Sequence, residues 1–215
     1  MTSVDFWWAL GRIYMGYPAR WLTRGRAYGA DRMPREGGLV LAVNHLHWID
    51  IPLVGTYSRR NVDFVAKVEA HRARGFGAYI RLFGGVAVRR GESDREAVRQ
   101  MRAAARNGRA LGVFVEGTRQ KSGHPGTAQP GAAMVAIQEE VPIVPAAIYG
   151  TQFWSLGNFA PCSIAFGRPR RFDELPKNGR GYREATAELE REIRGLFDWL
   201  ADVHARGRPK GLTPP

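Results

Sequence analysis

The chain reads as an α/β protein: a single domain with a mixed, mostly parallel central sheet flanked by helices, preceded by an amphipathic, aromatic-rich helical segment. Three observations lead there. From residue 38 onward, short apolar runs alternate with helix-length stretches, the rhythm of strand–helix–strand units. The runs are continuously apolar rather than alternating, which suits strands covered on both faces. And 215 residues, 44% of them hydrophobic and 24% charged, are enough for one substantial core.

Taken in order, residues 4–26 carry Phe6, Trp7, Trp8, Leu10, Ile13, Tyr14, Tyr17 and Trp21 at helical spacing, followed by Arg24 and Arg26. Pro18 is expected to end or kink the first helix. Two uses fit this segment: a helix packed on the domain, or one lying in a bilayer interface with its aromatics at headgroup depth and its arginines on anionic lipid. Strands are expected at GGLVLAV (37–43), VDFVAKV (62–68), GGVAVRR (84–90), ALGVFVEG (110–117) and VPIVPAAIYG (141–150). Helices are expected near Ile51–Tyr57, Ser93–Asn107, Ala132–Glu139 and Tyr182–His204. Ser93 and Glu96 have the spacing of a capping box, and Arg95, Arg99, Arg102 and Arg106 then form one basic ridge, free for an anionic partner or simply solvated. The tail GRPKGLTPP is expected to be disordered. The implied division is 1–28 helical membrane-interface segment, 29–205 domain, 206–215 tail.

Composition narrows the function classes. The single cysteine, Cys162, forms no internal disulfide, and the N-terminal residues lack the order of a secretory signal. The longest uncharged stretch, Val141 to Gly167, is interrupted by Pro142, Pro145, Gly150, Gly157 and Pro161, so no membrane span is expected. Net charge is +12, and residues 59–109 alone hold 13 Lys and Arg against 5 Asp and Glu. Such a field draws polyanions: nucleic acid, an anionic membrane, or phosphorylated small molecules. No nucleic-acid-docking motif accompanies the charge, so no nucleic-acid partner is expected.

The chemistry concentrates where expected strands end, the usual place for functional groups in open α/β sheets. VNHLHWIDIP (43–52) sets Asn44, His45, His47 and Asp50 after the first apolar run. Metal ligation is not expected, because His71, His124, His204 and Cys162 complete no zinc spacing. His45 and Asp50 are five residues apart, about 140° around a straight helix, so a turn must bring them together. A carboxylate on one imidazole nitrogen then leaves the other as a base, with an ordinary pKa near ~6.5 suited to a hydroxyl proton at neutral pH. His45 has this spacing to Asp50; His47 is assigned a structural role. FVEGTRQKSG (114–123) supplies Glu116, Gly117, Thr118 and Arg119, a glycine turn, a hydroxyl and a guanidinium able to hold phosphate. Arg90 follows another apolar run.

Together, N-H-x-x-x-x-D (44–50), G-x-x-x-x-R (85–90), F-V-E-G-T-R (114–119) and V-P-I-V-P (141–145) stand in the order of four blocks, and the chain resembles the glycerolipid acyltransferases of the bacterial lysophosphatidic acid acyltransferase type. The likeness runs from about Arg32 to Gly150 and takes in DFVAK (63–67) and SIAFGRP (163–169). The chain departs from the family pattern at Val115 and Ala87, both beside functional positions.

The resemblance implies His45 as base and Asp50 as its orienter. It implies a phosphate site of Glu116, Gly117, Thr118 and Arg119 with Arg90 and Lys67, and an acyl path along Val141, Pro142, Ile143, Val144 and Pro145, a stretch equally readable as core strand. It further implies no cofactor, an acyl-CoA or acyl carrier protein donor, a lysophospholipid acceptor, and a monotopic or peripheral place on the cytoplasmic face of an anionic membrane. Lysophosphatidic acid is the default acceptor. Another lyso-lipid, such as a lyso-ornithine lipid, and a non-catalytic basic lipid- or nucleic-acid-binding module are the alternatives.

Overall fold

A computed structural model describes residues 14, 16–67, 86–88 and 94–215. The elements run helix α1 (Tyr17–Leu22), strand β1 (Arg26–Tyr28), a 3-10 turn (Ala30–Arg32), β2 (Leu39–Val43), α2 (Asp50–Tyr57), β3 (Val62–Lys67), β4 (Val86–Val88), α3 (Asp94–Arg106), β5 (Ala110–Phe114), α4 (Gly131–Glu139), β6 (Ile143–Tyr149), a second 3-10 turn (Thr151–Phe153), β7 (Ser163–Phe166) and α5 (Gly179–Ala205). Among the described residues the strands form a seven-stranded sheet in the order β1-β7-β6-β2-β5-β3-β4. All neighbours are parallel except β6 and β7. The mostly parallel α/β architecture expected from the sequence is the one observed.

Strand β2 shows why continuous apolar runs belong inside such a sheet. All five residues are buried, and they alternate between the two faces. Val40 and Ala42 join a core with Ala105 of α3, Ala132 and Val135 of α4, and Leu189 and Ile193 of α5. Leu39, Leu41 and Val43 join the opposite core with Leu53 and Val54 of α2. The long helix α5 is capped by the Asn178 side chain, which accepts from Arg180 and Gly181 N–H groups, and it buries Ala185, Leu189, Ile193, Leu196, Leu200 and Val203 along one stripe.

Strands β5 and β6 lie on either side of β2, with α4 carrying the chain across. The order of the sheet therefore reverses at β2, where α/β sheets open a crevice at their carboxyl edge. Strands β1 and β7 were not among the sequence expectations. Each is three or four residues long; they pair with each other across a long stretch of chain, Arg26 opposite Ser163, and β7 also pairs with its sequence neighbour β6.

Two expectations are revised. The arginine ridge on α3 is not wholly available to a partner. Arg102 Nε lies 2.5 Å and Arg106 Nε 2.8 Å from the carboxylate of Glu139, which joins α3 to α4, and Arg99 pairs with Glu96 at 2.7 Å. Ser93 and the Arg95 side chain lie outside the described residues. The tail is not loose: Arg32 donates to the carbonyls of Pro214 (2.6 Å) and Pro215 (3.0 Å), Tyr28 donates to Pro209 at 3.1 Å, and Pro214 is buried. Pro18 stands in the first turn of α1, and the helix it was expected to end or kink lies outside the described residues. Residues 1–13 lie outside the described residues.

Deleting residues 209–215 removes these anchors and should lower unfolding free energy by about 1–2 kcal/mol in urea titrations, since each lost hydrogen bond is worth ~1 kcal/mol. An unchanged midpoint would show the tail to be inert.

Candidate active site

The sheet register brings the two motifs together. Val43, the last residue of β2, stands opposite Phe114, the last residue of β5. Two residues further along each strand are His45 and Glu116, and the His45 N–H donates to Glu116 Oε2 at 3.0 Å. Gln120 N–H donates to the His45 carbonyl at 2.8 Å, drawing the G-T-R turn alongside the histidine. On the other flank Asn44, fully buried, donates to the Ile148 carbonyl (3.1 Å) and accepts its N–H (2.7 Å), tying the end of β2 to β6.

Asp50 is the first residue of α2 and is wholly buried. Its Oδ2 collects three donors: Leu46 N–H and His47 N–H at 2.7 Å each, and the His45 ring Nδ1 at 2.9 Å. The backbone thus turns back between the strand and the helix, as the five-residue spacing requires. An ionised carboxylate only accepts, so Nδ1 carries the proton and Nε2 is left with its lone pair. The imidazole lies on Phe114, ring centroids 3.9 Å apart and 18° from parallel, and Phe114 lies on Phe64 at 5.8 Å. Phe114 was not singled out from the sequence, although its place at the end of β5 is the available signal.

Glu116 does not face a ligand. It is only 7% exposed and turned inward, with Oε1 accepting from Gly126 N–H (3.3 Å) and Oε2 from His45. Burial pushes its carboxyl up to about 7, against the pull of these backbone donors. Its place among the phosphate ligands is therefore corrected: it positions the His45 backbone. Gly117 adopts a φ of +68° and closes a turn onto the Phe114 carbonyl at 3.0 Å. A Cβ there would meet nothing within 4 Å, so the need for glycine is conformational. The turn leaves Thr118 and Arg119 exposed, and Arg119 is close enough to His47 to contribute, after burial, to holding that imidazole below its ordinary value.

The remaining expectations divide. Lys67 ends β3 at the same carboxyl edge, and its side chain lies outside the described residues, as does Arg90. Ile143, Val144 and Pro145 are buried inside the central strand β6, while Val141 and Pro142 are half-buried before it. Ile143 and Val144 pack into opposite cores, the contacts of a core strand. His47 takes a structural place: its backbone N–H caps Asp50, and its ring lies 5.5 Å from Trp154 and 5.7 Å from Trp48. Cys162 is buried, and that burial pushes its thiol up to about 12, which suits no nucleophile.

A carboxylate-steered imidazole at the carboxyl edge of a mostly parallel sheet, with an exposed guanidinium on the neighbouring turn, can take a proton from a hydroxyl. The chain belongs to the acyltransferase family, whose model matches residues 24–149, and it is an enzyme of that class. It is 25% identical over 182 residues to the 1-acyl-sn-glycerol-3-phosphate acyltransferase of Bacillus subtilis strain 168, covering 81% of this chain and 90% of that one. With the enzyme of the same name from Streptococcus pneumoniae it shares 24% over 200 residues, 89% of this chain and 74% of that one. The fold matches the crystal structure of the 1-acyl-sn-glycerophosphate acyltransferase PlsC of Thermotoga maritima, with a TM-score of 0.69 and 23% identity, over 90% of this chain and 79% of that one.

The raised Glu116 carboxyl makes a signed pH prediction. Because the folded protein binds this proton more tightly than an unfolded carboxyl with its ordinary value of 4.5, its contribution to stability is full below pH 4.5 and is lost as pH rises through about 7. The stability of the parent relative to Glu116→Gln should therefore fall between pH 5 and pH 8, by at most about 3 kcal/mol. A pH-independent difference in urea unfolding would refute it.

Proposed function

We propose that this enzyme moves a fatty acyl group from an acyl-CoA or acyl carrier protein thioester to the free hydroxyl of a lysophospholipid, with 1-acylglycerol-3-phosphate as acceptor and phosphatidic acid as product. The observation that carries the reading is the 2.9 Å contact between His45 Nδ1 and Asp50 Oδ2, which leaves Nε2 free as a base. His45 Nε2 takes the hydroxyl proton as the acceptor oxygen attacks the thioester carbonyl. Asp50 stabilises the imidazolium that forms. The tetrahedral intermediate collapses, the C–S bond breaks, and the imidazolium returns its proton to the departing thiolate. One ester and one thiol result, with no acyl-enzyme and no cofactor. Arg119 and Thr118 hold the acceptor phosphate, with Lys67 and Arg90 adding charge.

The names of the relatives support lysophosphatidic acid as acceptor, and the exposed Arg119 beside the site fits a phosphomonoester. The donor and acceptor are both anionic, and the basic excess of +12 suits an anionic membrane surface. Among the described residues no helix is long and apolar enough to cross a membrane, and exposed Tyr14, Tyr17 and Trp21 fit a peripheral or monotopic attachment, which we place on the cytoplasmic face.

His45→Ala should reduce thiol release from an acyl-CoA with lysophosphatidic acid by roughly 10²–10⁴-fold, and Asp50→Asn by a comparable factor. Retained turnover in His45→Ala ends the proposal. Arg119→Ala should raise KM for lysophosphatidic acid by roughly tenfold or more while leaving KM for a lyso-lipid without a phosphate nearly unchanged. Equal effects on both acceptors would remove Arg119 from the phosphate site and favour a lyso-ornithine type of acceptor.

A further inference from the structure

The loop of residues 151–159 is built stiffly and then left with its apolar side chains outside. Asn158 organises it: its Oδ1 accepts the N–H groups of Ser155 and Ala160 at 2.9 Å each, and its Nδ2 donates to the Phe153 carbonyl at 2.8 Å. Trp154, 5% exposed, clamps the loop to α1 through an indole N–H donated to the Leu22 carbonyl at 3.0 Å. On this fixed frame Phe153 is 61% and Leu156 65% exposed, and neither belongs to a core cluster. Neighbouring α1 does the same, with Tyr17 67% and Trp21 76% exposed, and Trp21 lies 6.2 Å from Phe159.

Helix α1 and the loop meet at Trp21 and Phe159 and enclose a groove of about 860 Å³. Its walls include Tyr17, Trp21, Phe159, Arg20 and Arg24. Beneath the loop, the buried Trp154 lies 5.6 Å from the part-exposed Trp48 and 5.5 Å from His47, two residues from the base. Residues 141–167 carry no charge, while Arg20 and Arg24 flank the groove on the α1 side. Exposed aromatic and aliphatic tips beside guanidinium groups match a bilayer interface with anionic headgroups: rings at headgroup depth, arginines on phosphate. A large apolar patch on a rigid loop, beside a site for lipid, is a docking surface by the same physics.

We propose that loop 151–159 is a second membrane-docking element. Together with α1 it seats the protein on an anionic bilayer, with phosphate headgroups between Arg20 and Arg24 and the mouth over His45 facing the lipid layer. This rests on the reading of the acceptor as a membrane lipid, and its test is separable from that reading. Binding of the full chain to phosphatidylcholine vesicles with and without phosphatidylglycerol is compared for the parent, for Phe153→Ser with Leu156→Ser, and for Arg24→Ala. Thiol release is measured alongside with a short-chain acceptor that stays monomeric in water.

The double variant should bind phosphatidylglycerol vesicles at least about tenfold more weakly, because two side chains no longer leave water. Its thermal midpoint and its turnover of the monomeric acceptor should be unchanged. Arg24→Ala should weaken binding to the anionic vesicles and leave binding to neutral ones as it was. Equal vesicle affinity in parent and double variant overturns the proposal. So does loss of stability together with binding, which would mean that Phe153 and Leu156 pack against residues 1–13 rather than lipid. Absence of thiol release in the parent sinks the acyl-transfer reading and leaves the vesicle comparison standing on its own.

Discussion

The wholly buried carboxylate of Asp50 is the interaction on which the site depends. One oxygen takes two backbone N–H groups and the His45 imidazole, so the same atom folds the turn after β2 and orients the base. Burying a carboxylate costs several kcal/mol unless donors meet it, and charge-assisted hydrogen bonds of ~1.5–3 kcal/mol each offset that cost. The partnering is lopsided: Oδ1 is buried without a partner among the described residues. The strength of the arrangement is thus concentrated on the side facing His45. Any change that swings the carboxylate away loses the turn and the tautomer together.

That turn is held from outside by the sheet. Parallel pairing of β2 with β5 places His45 and Glu116 at equal distances beyond a matched pair, and Asn44 ties the same strand end to β6. Glu116 then links His45 to the loop at Gly126 through a carboxylate that never reaches solvent. The base is supported from both neighbouring strands, while Arg119, three residues from Glu116, projects outward on a glycine turn. Rigid support and an exposed guanidinium come from one six-residue motif.

Charge is distributed by a similar logic. Part of the basic excess is internal glue, since Arg102 and Arg106 converge on a Glu139 whose side chain is only 5% exposed. Net charge therefore overstates what an anionic surface meets. Exposed aromatics are the complementary case. Among the described residues they are few, and apart from Trp48 and Tyr14 the large exposed apolar side chains belong to α1 and the 151–159 loop.

Much of this was legible in the residue order. Continuous apolar runs marked β2, β5 and β6, because strands covered on both faces need no polar positions, and the His45–Asp50 spacing demanded a turn. The same order hid the short strands β1 and β7, whose pairing with each other joins segments more than a hundred residues apart. It also could not tell Glu116 from Arg119, three positions away in one motif, as inward and outward groups. Side-chain direction at a turn is set by the φ of Gly117 and by hydrogen bonds to another strand, neither of which is a property of neighbours in sequence. The identity of the reacting groups is thus written locally. Their register, their burial and the exposure of the aromatics were decided only when distant strands met, because parallel pairing is a long-range contact.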